Sequence, residues 1–480
     1  MKVKWLLILG CLSLMVDGCK KDAINSGSSN QASKITVEKF SISNEFQNNM
    51  VVQRDKPTAI GGKATTDTKV DIRVSWNPGS FMAVADQNGN WSVNIPATVA
   101  NASPQTINCH TDTGNSIALT NILVGDVWLC AGQSNMVMEI APVDPFLGVT
   151  NYAQEIQAAQ YPLIRFQTIQ QDLKEDPLDT FSDINPWQVC SPATAGNLSA
   201  VAYFFAAKLH TSLNVPVGII VSAVDGSSCS DWLNNGQCYN GMISPLLKLA
   251  IKGFIWYQGE NDQHIQPVSE YTVLNKALIQ RWRDNFAQET LPFYLVQLAP
   301  FAEDFFNTEP PGGNLTGNYL AKFREAQANV LSMSGTGMAV TMDVGDPANH
   351  HPRDKKQVGE RLALLALKNT YNLDVACYGP KYLSYSQSGD QLIITYVKGT
   401  ADGLSTINNS PLNQFFFVAG ADEIFYNAPA TINGNTIVLT IPPNVSGPVL
   451  SVRYAFTNAP ITNLQNAAGL PAEPFRTDSW

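Results

Sequence analysis

Four short stretches of the chain carry groups suited to acyl transfer. They are Ala131-Gly132-Gln133-Ser134, Asp225-Gly226, Gln258-Gly259-Glu260-Asn261 and His350-His351. A serine can act as nucleophile and a histidine as base, while a glycine N–H and a carboxamide can bind an oxyanion. Each stretch follows an apolar run with the composition of a buried strand. The ordered set of four therefore indicates one serine-dependent site, although a lone Gly-x-Ser is more often a turn that caps a helix.

The choice of base is limited because the chain has five histidines. His210 lies in a helical run, and His264 is a weak candidate a few residues after a strand. His350 and His351 follow a predicted strand and precede a helix that opens at Pro352. By position, His351 is the leading base and His350 the second.

The groups that could bind an oxyanion follow two other predicted strands. The backbone N–H of Gly226 can approach a substrate because no Cβ intervenes. Beyond the next strand, Gln258 and Asn261 offer two side-chain amides. The sequence alone leaves open which of the two amides is the donor.

The elements that must position these groups alternate between strand-like and helix-like runs. Strands are predicted at 122–130, 163–169, 217–224, 253–257, 293–298 and 337–343, and helices at 199–212, 242–250, 270–288, 320–333 and 353–369. This alternation is typical of an α/β fold with a mostly parallel sheet. Because the strands run parallel, their carboxyl ends meet at one sheet edge, where such folds bind ligands.

Two β-rich regions flank this α/β domain, which we assign to residues 121–372. Residues 35–120 show period-2 alternation and Asn-Gly turns, which predicts an N-terminal β-domain. Beyond 373 the helical periodicity stops, and strands at 391–397, 414–418, 436–441 and 449–455 predict a C-terminal β-rich module over 373–480.

The N-terminus is typical of a secretory signal. Lys2 and Lys4 precede an apolar run too short to span a bilayer, and Cys19 ends it as in a bacterial lipobox. We therefore expect a signal peptide over 1–19, with either a lipid-modified Cys19 or plain cleavage, and a flexible tether over 20–34. This predicts an exported protein, periplasmic or an outer-membrane lipoprotein of a Gram-negative bacterium, whose only membrane contact is that anchor.

The net charge and the cysteine spacing limit the partners and cofactors that we expect. A net charge of −10, with 15% charged and 44% hydrophobic residues, argues against a nucleic-acid partner. Of the eight cysteines, the six that follow the predicted signal segment are scattered without metal-ligand spacing, so we expect no metal and no other cofactor. Cys229 and Cys238 are the most local candidates for a disulfide.

Longer motifs around the four stretches resemble the SGNH-hydrolase superfamily, and within it the bacterial sialate O-acetylesterase family. The motifs that match the family's four blocks are Gly125-Asp-Val-Trp-Leu-Cys-Ala-Gly-Gln-Ser-Asn-Met136, Gly226 with Trp232, Trp256-Tyr-Gln-Gly-Glu-Asn261, and His351-Pro-Arg-Asp-Lys-Lys-Gln-Val-Gly-Glu-Arg-Leu-Ala363. Two further motifs, Asn49-Met-Val-Val-Gln-Arg-Asp55 and Gly469 to Trp480, extend the resemblance over nearly the whole mature chain.

The resemblance implies a three-layer, flavodoxin-like SGNH-hydrolase domain between two β-sandwich-like modules. It also implies a serine esterase in which Ser134 attacks, His351 is the base, and the Ser134 N–H, Gly226 and Asn261 (or Gln258) bind the oxyanion. Family members commonly place an aspartate two or three residues before the histidine, where this chain has Asn349 and Ala348. We favour Asp346 as the orienting acid; the alternatives are Asp343 or a backbone carbonyl in a Ser–His dyad.

The implied substrate is an O-acetylated carbohydrate, with sialic acid first and acetylated plant polysaccharide such as xylan or pectin as the alternative. A sialic acid carries a carboxylate, so Arg324 and Arg353 are candidate substrate-binding cations. Either arginine could instead pair with a neighbouring acid. A third hypothesis, from a different class of function, is a non-catalytic sugar-binding lipoprotein.

Overall fold

The computed structural model describes residues 39–288, 290–302 and 318–480. The predicted signal peptide, Cys19 and the predicted tether lie outside these residues and stay predictions. Within the described ranges, no helix has both the length and the apolar character needed to cross a bilayer.

The N-terminal region is built mainly from antiparallel strands, several of which alternate between buried and exposed residues, while β2 pairs parallel with β8. In sequence order these strands are β1 (Ser41–Ile42), β2 (Val51–Gln53), β3 (Thr58–Lys63), β4 (Lys69–Val74), β5 (Asn77–Val84), β6 (Asn90–Ile95), β7 (Asn101–Thr111) and β8 (Ser116–Gly132). In β4, Val70, Ile72 and Val74 are buried while the charged residues between them are not. This period of two is what the sequence predicts for a half-buried sheet.

Strand β8 joins the N-terminal region to the central sheet. Its first part pairs antiparallel with β7, and its residues are mostly exposed or half-buried. From Ile122 to Gly132 every residue is buried, as expected where both faces of a parallel sheet are covered. The predicted domain boundary at 120/121 thus falls within one continuous strand.

The central sheet adds six strands to β8. They are β9 (Ile164–Thr168), β10 (Gln188–Val189), β11 (Val217–Ala223), β12 (Gly253–Tyr257), β13 (Phe293–Val296) and β14 (Thr336–Ala339), in the spatial order β10-β9-β11-β8-β12-β13-β14. All pairs are parallel except that of β10 with β9. Each central strand predicted from the sequence is confirmed. Most of the predicted strand ends differ from the observed ends by a few residues or fewer. Because chain order reverses on either side of β8, a crevice is expected at the carboxyl ends there.

Seven α-helices accompany this sheet in the described ranges. They are α1 (Ser134–Val137), α2 (Tyr152–Ala158), α3 (Ala200–Leu213), α4 (Gln237–Met242), α5 (Ser269–Phe286), α6 (Tyr319–Ala328) and α7 (Lys355–Asn369). The predicted helix at 242–250 is wrong: α4 ends at Met242, and a 3₁₀ turn follows at Ser244–Leu246. Pro245 has no N–H and its ring clashes with the preceding turn, so α4 cannot continue through it.

The C-terminal region forms small antiparallel sheets with a hydrophobic core of their own. Its strands are β15 (Tyr382–Ser388), β16 (Gln391–Tyr396), β17 (Ser405–Thr406), β18 (Phe416–Ala419), β19 (Tyr426–Asn427), β20 (Ala430–Asn433), β21 (Thr436–Thr440), β22 (Ser451–Tyr454), β23 (Leu464–Gln465) and β24 (Phe475–Arg476). Arg476 pairs with Glu325 of α6, which ties these sheets to the central domain.

The structure corrects the one disulfide suggested from the sequence. Cys229 and Cys238 are both buried free thiols, like the other four cysteines in the described ranges. Burial raises the pKa of Cys238 to about 12, so this thiol is not poised as a nucleophile.

Candidate active site

The carboxyl ends of β8, β11 and β12 open onto a cleft of about 320 Å³. The lining residues are Gln133, Ser134, Pro145, Phe146, Asp225, Gly226, Glu260, Asn261, His350 and His351. Groups from all four predicted stretches therefore line one concave site. Phe146 and Pro145 belong to none of the four sequence motifs.

Ser134 is the first residue of α1, and Gln133 alone separates it from the end of β8. Gly132 has a φ of +141°, and a Cβ there would lie 2.0 Å from the carbonyl oxygen of Tyr257. Only glycine allows this turn beside β12. The first N–H group that donates to a carbonyl within this turn is that of Met136, which bonds to the Gln133 carbonyl. Among the described residues, the Ser134 N–H has no acceptor and can serve a ligand.

The Gln133 side chain links the serine turn to the loop after β12. Its Oε1 accepts from Gln258 Nε2 at 3.2 Å, from the Gly259 N–H at 3.2 Å and from the Asn261 N–H at 3.3 Å. These bonds hold Asn261 beside Ser134. The sequence gives no sign of this role, because the partners lie more than 120 residues apart.

Gly226 and Asn261 are exposed and line the same cleft as Ser134. Gly226 has a φ of +67°, with open space where a Cβ would stand. It is therefore the backbone conformation, more than crowding, that favours glycine here.

Gln258 is not an oxyanion donor, contrary to the alternative left open by the sequence. It is fully buried, and its Nε2 donates to the Ser227 carbonyl at 3.1 Å and to Asp262 Oδ2 at 2.5 Å. Its Oε1 accepts from the Tyr271 hydroxyl at 3.1 Å. With its donors engaged inside the protein, Gln258 supports the loop rather than the ligand.

His351 is half-buried and held by its neighbours in the turn. Its backbone N–H donates to Asn349 Oδ1 at 2.8 Å, and its ring packs edge-on against Phe146 with centroids 4.8 Å apart. The ring centroid of His350 lies 3.8 Å away. The buried Nε2 of His351 has no hydrogen-bond partner among the described residues. No bond to Ser134 is formed here, and in unliganded enzymes such bonds often tighten only when substrate binds.

The electrostatics of the turn favour a neutral imidazole. Burial, followed by His350 and Lys355, lowers the pKa of His351 to about 3. Burial and Lys355 lower the pKa of His350 to about 4. At neutral pH both rings are therefore unprotonated, which is the form a general base requires.

The structure does not place Asp346 against His351. Asp346 Oδ1 accepts the N–H of Ala348 at 3.0 Å and so closes its own turn. Asp343 forms a bidentate pair with Arg361 at 2.6 and 2.7 Å. Within the described ranges no carboxylate bonds to the His351 ring, so of the three alternatives the Ser–His dyad fits best.

Arg324 is a structural residue, which corrects its assignment as a substrate-binding cation. It is 0% exposed, and burial lowers its pKa to about 9. Among the described residues, its guanidinium donates only to backbone carbonyls, at 2.7–3.2 Å; these belong to Leu298, Ala299, Thr457 and Asn458. A fully buried guanidinium engaged in this way joins α6 to the C-terminal region and does not present its charge to a ligand.

Arg353 also binds backbone and is not among the residues that line the cleft. It donates to the carbonyls of Gly148 and Val149 at 3.0 and 3.1 Å. These residues follow Phe146, so Arg353 holds the loop that packs against His351 instead of presenting a charge to substrate.

Comparison with known proteins agrees with this geometry. Residues 124–368 match the family model described as carbohydrate esterase, sialic acid-specific acetylesterase. The chain belongs to this family. The matched region contains every group of the cleft, and the chain is accordingly an esterase.

Individual relatives extend the similarity of the esterase beyond the matched region. Human sialate O-acetylesterase is 25% identical over 505 residues, covering 91% of this chain and 92% of the relative. The orang-utan (Pongo abelii) sialate O-acetylesterase is 26% identical over 416 residues, covering 75% and 76%. The crystal structure of a carbohydrate acetylesterase from Xanthomonas citri superposes with a TM-score of 0.83 at 31% identity, covering 92% of this chain and 100% of that one.

Proposed function

We propose that the esterase removes O-acetyl groups from carbohydrates through an acetyl-serine intermediate. The observation that carries the proposal is that Ser134, Gly226, Asn261 and His351 line one cleft. Such a set supplies a nucleophile, a base and oxyanion donors without a metal ion or an organic cofactor.

In the first step, Ser134 Oγ attacks the acetyl carbonyl while His351 takes the hydroxyl proton. The carbonyl oxygen becomes an oxyanion, held by the N–H groups of Ser134 and Gly226 and by the Asn261 side chain. When the bond to the sugar oxygen breaks, His351 returns its proton to that oxygen, leaving a sugar hydroxyl and acetyl-serine.

In the second step, water attacks the acetyl-serine with His351 again as base. The same donors bind the second oxyanion, and its collapse releases acetate and restores Ser134. A single oxyanion donor is typically worth about 10²–10³ in kcat.

O-acetylated sialic acid is the first substrate to test, because the relatives from human and orang-utan are sialate O-acetylesterases. An acetylated plant polysaccharide of the xylan type is the second. The observation that favours it is the exposed carboxylate of Asp225, which lines the cleft beside Gly226. A carboxylate can accept hydrogen bonds from neutral sugar hydroxyls, whereas it repels the carboxylate of a sialic acid.

The test measures acetate release from 9-O-acetylated sialic acid and from acetylated xylan. We expect turnover on at least one of them, and loss of that turnover in Ser134→Ala. Ser410→Ala, which changes an exposed serine of the C-terminal region, is the matched control and keeps wild-type rates. Acetate release retained by Ser134→Ala would contradict the mechanism; sugar binding without release by the wild type would favour a non-catalytic role.

We also propose the finer features that the resemblance implies. The central domain is a three-layer, SGNH-type α/β unit over 121–372, supported by the reversal of strand order around β8. The chain is exported, and Cys19 carries the lipid. Metabolic labelling with palmitate tests the anchor: we expect label in the wild type and none in Cys19→Ala.

A further inference from the structure

The amide of Asn135 is enclosed directly behind the nucleophile. Asn135 is 0% exposed, and its side chain is fully engaged. Its Nδ2 donates to Glu260 Oε1 and to the backbone carbonyl of His350, the latter at 2.9 Å. Its Oδ1 accepts from Lys355 Nζ at 2.6 Å. An amide has two N–H donors and one carbonyl oxygen, so all of its functional groups have partners.

The two charged neighbours fix the orientation of this amide. Lys355 is 0% exposed and Glu260 is 3% exposed, so neither is mainly a surface charge. An ammonium can only donate and a carboxylate can only accept. The oxygen of Asn135 must therefore face Lys355 and its nitrogen must face Glu260. A carboxylate at position 135 would lose both donors and place two acids together.

The same contacts connect the two turns that carry the catalytic groups: the serine turn, residues 132–135, and the histidine turn, residues 349–352. Asn135 directly follows Ser134, and it bonds the carbonyl of His350. Lys355 Nζ donates at 2.6 Å to the carbonyl of Pro352. The backbone on both sides of His351 is thus tied, through Asn135 and Lys355, to the serine turn.

We infer that Asn135, Glu260 and Lys355 are positioning residues, which together set the distance and orientation between Ser134 and His351. The inference rests on the proposed hydrolysis at Ser134. It also explains how the histidine turn is held, since within the described ranges no carboxylate bonds to the His351 ring. Burial raises the pKa of Glu260 to about 7 and lowers the pKa of Lys355 to about 7. Holding both groups inside the protein therefore carries a desolvation cost, and a specific task for them is expected.

The first test replaces Asn135 by aspartate, which keeps the shape and removes both donors. We expect kcat on p-nitrophenyl acetate to fall about 10²-fold, the size typical of a small misplacement of reacting groups. KM should stay within about threefold, because the cleft lining is unchanged. The rate at which an organophosphonate labels Ser134 should fall with kcat.

Asn466→Asp is the matched control, because it makes the same change at a buried amide in the C-terminal region. Asn466 is 4% exposed, and its Nδ2 donates to the carbonyls of Tyr378 and Thr400, both at 3.0 Å. This variant should lose thermal stability and keep its kcat. A folded Asn135→Asp enzyme with kcat within threefold of wild type would overturn the inference.

Two further variants keep the test decisive if Asn135→Asp does not fold. Lys355→Met removes one donor, and we expect lower kcat together with a higher pH for the acid limb, because Lys355 lowers the His351 pKa. The titratable groups that act on the pKa of His351 are His350 and Lys355. Glu260→Gln keeps an acceptor for Asn135 and should retain more activity than Glu260→Ala.

Each result separates the inference from the proposed function. Equal kcat for Glu260→Gln and Glu260→Ala, together with an unshifted acid limb in Lys355→Met, would overturn the positioning role while leaving Ser134 as nucleophile. Full activity of Ser134→Ala would instead overturn the proposed mechanism.

Discussion

The serine turn and the histidine turn face the same cleft but are built differently. Ser134 is 6% exposed and stands just beyond the buried part of β8. It is flanked by Gln133 and Asn135, whose side chains bond neighbouring segments. His351 is half-buried in an irregular loop, where its ring packs against Phe146 and His350 and the flanking backbone is bonded by Asn135 and Lys355. The nucleophile is thus placed by the sheet, whereas the base is placed by side chains from other loops.

This difference shows where the site depends on local structure and where it depends on long-range contacts. A strand end keeps its position as long as the sheet is intact. A loop keeps its position only as long as each bond to it remains. We therefore expect substitutions around the histidine turn to separate true catalytic effects from positioning effects.

The largest effect expected on the histidine side follows from His351→Ala. Loss of the base should lower kcat on p-nitrophenyl acetate by about 10³-fold or more. His350→Ala keeps the backbone carbonyl that Asn135 binds, so it should cost much less. Steady-state kinetics of the two variants decide the assignment: a greater loss in His350→Ala would make His350 the base.

On the oxyanion side, Asn261→Ala should lower kcat by about 10²-fold with little change in KM, since the donor acts mainly in the transition state. Gln258→Ala is the informative contrast, because Gln258 is buried behind the loop and should affect chiefly the thermal midpoint. If Asn261→Ala were as active as wild type, the oxyanion would have to be held by backbone N–H groups alone.

A smaller effect is expected in the dependence of kcat/KM on pH. Since burial lowers the pKa of His351 to about 3, the base is already unprotonated at pH 5. The acid limb of the profile should therefore lie well below pH 6, instead of near the usual histidine value of about 6.5. Rates on p-nitrophenyl acetate between pH 4 and 8 measure this, with unfolding followed in parallel. An acid limb near 6.5 would show that His351 is more solvated or acid-paired in solution.

The smallest effect is expected for Asp346→Asn. If Asp346 only closes its own turn, kcat should stay within about threefold of wild type, because an asparagine oxygen can still accept the Ala348 N–H. Loss of a true orienting acid can cost about 10⁴-fold in kcat. The same kinetic assay therefore distinguishes the two roles by a wide margin.

The sequence predicts most of the scaffold because strands such as β11 and β12 are continuous apolar runs bounded by glycine and polar residues. The same boundaries place Ser134, Gly226 and His351 at one edge of the sheet. Helix limits are less certain where a local feature intervenes, as at Pro245. The predictable part of the site is thus the part that follows from strand ends.

The remaining part depends on contacts that sequence spacing does not reveal. Lys355 binds Asn135 from 220 positions away, and Phe146 reaches His351 from a loop with no motif. Arg324 carries a positive charge that would suit a carboxylate ligand, yet its partners are backbone carbonyls that come together only in the fold. Asp346 is near His351 in sequence, but its turn directs the carboxylate to the Ala348 N–H.

Trapping the acetyl group tests the central claim most directly. The esterase is mixed with p-nitrophenyl acetate, quenched in acid within the first turnover, digested and analysed by peptide mass spectrometry. We predict one acetyl group on the peptide that contains Ser134, with fragmentation assigning it to that residue, and none in Ser134→Ala. Acetyl groups found on another residue, with Ser134 unmodified and turnover intact, would contradict the account.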